Sequence, residues 1–126
     1  MTAITDEFMR EMMGRTKHYA VVVVKAGPNL HMPGVESIIR EHARRNFLLR
    51  EQGILSIVMP ISDGSPVHGV GVFNAEVEKV RGIMDEDPGV MAGVFVYEVH
   101  QSRSFPGDCL PGQLPFPAPA PPVQGG

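Results

Sequence analysis

Two short stretches of this sequence carry side chains able to handle a proton. The first holds His42 and Asn46, four residues apart in a run that reads as a helix over 36–52. At about 100° per residue, Ile38, Ile39 and Leu49 share one arc, with Val35 just before it. His42 and Asn46 fall inside that apolar arc, so an imidazole and an amide turn inward. The arginines of the run turn outward, with Arg45 near the edge. Burying such groups unpaired costs on the order of 1–3 kcal/mol each, so partners are expected. The second stretch is Asp85, Glu86, Asp87 and Pro88, at the end of a second helix. The proline takes Asp87 out of helical geometry. A carboxylate at a helix C-terminus is disfavoured by about 0.3–1 kcal/mol, which a positive or hydrogen-bonding partner relieves.

An imidazole oriented by a carboxylate is the arrangement a general base uses, and it needs no cofactor. On that reading His42 moves the proton, Asp87 orients the ring, and Asn46 holds a substrate oxygen. The residues also allow, and on their own favour, the reading of His42 as a core histidine bonded to a carbonyl, with Asp87 capping its own backbone.

The remaining candidates are weaker. His18, His31, His68 and His100 are scattered over strands and loops at no ligand spacing, so surface or edge positions are expected and no metal. Cys109 is the single cysteine; it has neither a base nor a rigid seat and cannot form an internal disulfide. Gly69-Val70-Gly71 lacks the later glycine and helix of a dinucleotide fingerprint. The eight methionines read as core filler.

The elements that must position these residues follow from apolar period and turn chemistry. Residues 4–14 read as a short helix capped by Thr5, with Ile4, Phe8 and Met12 at four-residue spacing. Lys17 to Lys25 is a strand. Its valines at 21–24 are stiff, favour extended backbone, and imply cover on both faces. A loop over 26–35 leads to the helix of 36–52, which Gly53 stops. Strands follow at 54–61 and 67–74, joined by a turn at 62–66. A second helix spans 75–85 with Val77, Val80 and Met84 inward. Pro88 and Gly89 break it, and Val90 to His100 forms the last strand. The order βαββαβ behind a leading helix is the α+β, ferredoxin-like arrangement. Four strands with both helices on one face leave the other face bare, so a symmetric homodimer is expected to cover it. Seven of the twelve prolines lie beyond Ser104, and Pro117 to Pro122 is polyproline-like, as in a solvated terminus. Three segments result: a helical extension (1–16), one domain (17–104) and a proline- and glycine-rich tail (105–126).

Composition narrows the partners. The chain has 126 residues, 43% hydrophobic and 20% charged, with 11 basic against 14 acidic residues for a formal charge of −3. Such a balance disfavours nucleic acid as a partner. No apolar run approaches the roughly 20 residues of a membrane span, and the acidic start is unlike a signal peptide, so a cytoplasmic protein is expected.

The run Glu41 to Leu55, with its histidine at position 42 and Gly53 leading into a strand, resembles the first helix of the YciI-like family. Asp87-Pro88, followed by Ala92-Gly93, is similar to that family's second motif. The resemblance covers about residues 17–104 and implies a dimeric ferredoxin-like α/β barrel. It also implies a His–Asp pair at His42 and Asp87, proposed as catalytic in the family, one branch of which eliminates chloride from a chlorinated hydroxyhydroquinone. Gly89 departs from the pattern, since many relatives carry an aromatic residue directly after Asp-Pro. The expected activity is a cofactor-independent lyase or isomerase acting on a small organic molecule. The rival readings are a non-catalytic binding module and a structural dimerisation domain.

Overall fold

The computed structural model describes residues 2–112 and 117. The proline-rich stretch, Pro117 apart, lies outside the described residues. Eight elements follow in order: α1 (Asp6–Met13), β1 (Lys17–Ala26), α2 (Val35–Glu51), β2 (Leu55–Pro60), β3 (Val67–Phe73), α3 (Val77–Asp85), α4 (Pro88–Met91) and β4 (Phe95–Ser104). The strands form one antiparallel sheet in the order β2-β3-β1-β4. Val22 sits opposite Gly71 on one side and Val99 on the other. This is the α+β, ferredoxin-like arrangement, with β1 and β3 central.

The core follows from strand alternation. Ala20, Val22, Phe73, Leu55 and Val99 point to one face and meet Leu49 of α2 with Val80 and Met84 of α3. Gly53 ends the α2 turn at φ +76°, a left-handed conformation that glycine adopts without a Cβ penalty. The Ile54 amide then donates to the Leu49 carbonyl at 3.0 Å, and β2 starts beside the helix it follows.

On the opposite face Val21, Val23, Val70, Val72 and Ile57 are only half-buried, and Met59 and Val96 are exposed. The valine run therefore has one covered face within this chain, not the two that its composition implied. The α1 helix forms as its residues dictate, with Thr5 Oγ1 accepting from the Phe8 amide at 3.1 Å. It buries none of its residues.

The last strand differs from expectation. Val90 lies not in β4 but in a four-residue helix, and β4 begins only at Phe95. Proline at the first helical position is favoured, because its missing N–H would have no partner there. Pro88 thus starts a helix as well as ending one.

Candidate active site

Asp87 is 1% exposed, the one fully buried charged residue among those described. It caps α4: with φ −67° and ψ 131°, its Oδ2 accepts from the amides of Gly89 at 2.9 Å and Val90 at 3.2 Å. The expected repulsion at a helix C-terminus is therefore corrected. Asp87 stands at a helix N-terminus, where a carboxylate is stabilised by the unpaired amides. Asp85 holds the α3 end, and its Oδ1 accepts from the Tyr97 hydroxyl at 2.7 Å.

The α2 helix brings the other half. His42 Nδ1 lies 2.8 Å from Asp87 Oδ2 and 2.9 Å from Oδ1. The carboxylate only accepts, so Nδ1 is the donor, and in the neutral ring Nε2 carries the lone pair. One turn along α2, Arg45 Nη1 reaches Asp87 Oδ1 at 3.8 Å. Arg45 does not turn outward with Arg40 and Arg44; its place at the edge of the apolar arc puts it beside the acid. A single carboxylate is thus met by two amides, an imidazole and a guanidinium.

His42 Nε2 has no hydrogen-bond partner among the described residues, and no buried side-chain nitrogen or oxygen is left unpaired there, so Nε2 keeps access to the cleft. That cleft, about 290 Å³, lies between α2 and the covered face of the sheet. Val22, Val24, Leu30 and Met84 supply apolar wall, and Gly69 and Gly71 give it depth. Asn46 borders it one turn beyond His42, with its amide unbonded to the described chain. Phe95 closes one side, its ring centroid 4.8 Å from that of His42 and tilted by 51°.

Gly89 is what lets Phe95 sit there. A Cβ at position 89 would stand 2.6 Å from Phe95 Cδ2 and 3.1 Å from Asp87 Oδ2. The absence of a side chain at position 89 therefore leaves no gap there, because Phe95, the first residue of β4, fills the space.

Sequence reasoning missed His68, which is no surface or edge histidine. It is half-buried, borders the same cleft, and places its ring 5.6 Å from Phe95. Strict alternation would put it on the bare face with Val70 and Val72. The register slips between Val24 and Lys25, so that Val24 faces Gly69 while Lys25 faces Val67. A bulge of this kind re-aims a side chain and leaves no periodic signal in the sequence. His18, His31 and His100 do not border the cleft. Cys109 is exposed, beside a separate hollow bordered by Tyr19, Ile57 and Val72.

No family model matches the chain, and no curated protein matches it. Among solved structures it is similar to 5-chloro-2-hydroxyhydroquinone dehydrochlorinase from Burkholderia phenoliruptrix AC1100, in complex with 2,5-dihydroxybenzoquinone. The identity is 16% and the TM-score 0.46, over 65% of this chain and 90% of that one. A likeness this remote carries no activity across. No helix among the described residues is long and apolar enough to cross a membrane.

Proposed function

We propose that this chain is a YciI-like small-molecule enzyme that transfers a proton without a cofactor, as a lyase or isomerase does, with His42 as the base and Asp87 as its positioning partner. One observation carries the reading. The Nδ1 edge of His42 is fixed 2.8 Å from a buried carboxylate, while Nε2 is unpaired and borders an apolar cleft. Fixing the tautomer leaves the lone pair where a substrate would lie, and the apolar walls strengthen any charge interaction formed there. Asn46 donates to, or accepts from, an oxygen of the bound molecule.

The working unit is a homodimer. The half-buried valines of the bare sheet face, with Ile57 and Met59, form an apolar surface that a second copy's sheet would cover. Sedimentation velocity tests this directly, and a monomer at tens of micromolar would count against it.

The catalytic reading is tested by His42→Gln, which keeps a polar side chain but removes the basic nitrogen. Wild-type protein and variant are incubated with small hydroxylated aromatics and hydroxy-carbonyl compounds in deuterated water. Products and deuterium uptake are followed by NMR. Turnover is expected to fall about 10²- to 10⁴-fold, with the thermal transition within a few degrees of wild type. Binding without turnover by the wild type would favour a binding module. Unchanged turnover by His42→Gln would remove His42 from the chemistry.

A further inference from the structure

We propose that His68 is the second hydrogen-bonding arm of the His42 cleft, and that the molecule bound there is small, conjugated and carries oxygen at both ends. The inference rests on the cleft being the site of proton transfer, and adds what the far side of that site does. His42 and His68 come from different layers of the fold, one from α2 and one from the sheet, and flank the same Phe95 ring at 4.8 and 5.6 Å. The backbone of His68 is held, since its carbonyl accepts from the Ile61 amide at 2.9 Å. Its ring has no hydrogen-bond partner among the described residues. Apart from the two imidazoles, the only other polar side chains bordering the cleft among the described residues are Asn46 and Ser62.

A neutral imidazole has one donor and one acceptor, and in an apolar cleft both are best used on a ligand. Two such rings, each tilted against the same phenyl ring in one cleft, suit a flat molecule with a polar atom toward each. The step needs no further reagent. His42 Nε2 takes the proton from an O–H or C–H bond at one end of the substrate. The bonding pair moves through the conjugated frame to the oxygen at the other end. The His68 N–H donates a hydrogen bond to that oxygen as its charge grows. His42 then returns the proton to another atom of the substrate or releases it to water.

The test uses two probes, phenol with one oxygen and 4-hydroxyacetophenone with conjugated oxygens at both ends. Binding is followed through the Cε1–H resonances of the histidines. Both probes are expected to shift His42, and only 4-hydroxyacetophenone to shift His68. His68→Leu should weaken 4-hydroxyacetophenone about 5- to 10-fold and leave phenol within twofold, and His68→Gln should recover part of the loss. If His68→Leu weakens both probes equally, or neither, the role of His68 is overturned. His68→Gln carries the comparison if the leucine variant does not fold. Shifts at His42 with none at His68 would remove the second arm and leave the cleft standing. No shift at His42 with either probe would remove the cleft as the site, and both proposals with it.

Discussion

Among the described residues there are two imidazole–carboxylate contacts, and they differ in everything except the contact. His42 meets Asp87 at 2.8 Å with side chains 14% and 2% exposed. His100 meets Glu98 at 3.1 Å with side chains 61% and 45% exposed. The first pair joins two helices, and its acid is also a helix cap. The second joins residues two apart on β4, on the bare face of the sheet, where Lys25 shares the same carboxylate. In the single chain, water competes for the exposed pair and salt screens it. The buried pair faces no such competition, and a cleft opens on its free nitrogen. Proximity of an imidazole and an acid therefore does not single out a candidate site; confinement and an unpaired edge do.

Asp87→Ala should break this contrast most. It strips the cap from α4 and leaves the Gly89 and Val90 amides, His42 and Arg45 without their shared acceptor. A loss of about 2–5 kcal/mol is expected in urea denaturation, alongside loss of turnover. A loss below about 1 kcal/mol would mean that the carboxylate organises little. Gly89→Ala comes next. Its new methyl meets the edge of a buried ring, which has to move, at a cost of about 1–3 kcal/mol. The His42 Cε1–H resonance should shift as Phe95 is displaced, and an unmoved resonance would place the strain elsewhere. The smallest effect belongs to the exposed pair. Hydrogen bonds from Lys25, then from His100, hold Glu98 below the usual carboxylate value of 4.5. A depressed folded-state value favours the fold above the unfolded value, and the benefit fades as pH falls through the folded one. Solvent screening makes it slight. Glu98→Gln should leave the melting temperature at pH 7 unchanged within error, and 1 M salt should raise the NMR-observed titration of Glu98 back toward 4.5. A clear drop in melting temperature would make the surface pair more than a contact.

The order of elements was legible because each strand and helix has its own local signal. Four valines, a stop at Gly53 and inward Val80 and Met84 need no tertiary information. Half of the site was legible too: the helical arc turned His42 and Asn46 inward, and Asp-Pro marked an acid with fixed backbone. The rest was not, for three separate reasons. Pro88-Gly89 spells a break and a helix start with the same letters, so α4 and the capping role of Asp87 were hidden. His68 is aimed by a slip between two strands distant in sequence, which no single-strand pattern records. Arg45 lies at an arc boundary, where a small rotation decides whether a long side chain reaches the acid or the solvent.

The carboxylate of Asp87 serves two masters, the start of α4 and the ring of His42. Under the proposed reading, substitution at position 42 silences the reaction and leaves the architecture whole, whereas substitution at position 87 spoils both. A descendant that gave up the chemistry would lose its imidazole early and keep its acid. In this chain the Asp-Pro pair testifies to how the fold is put together, and on the proposed reading only the histidine testifies to whether it works.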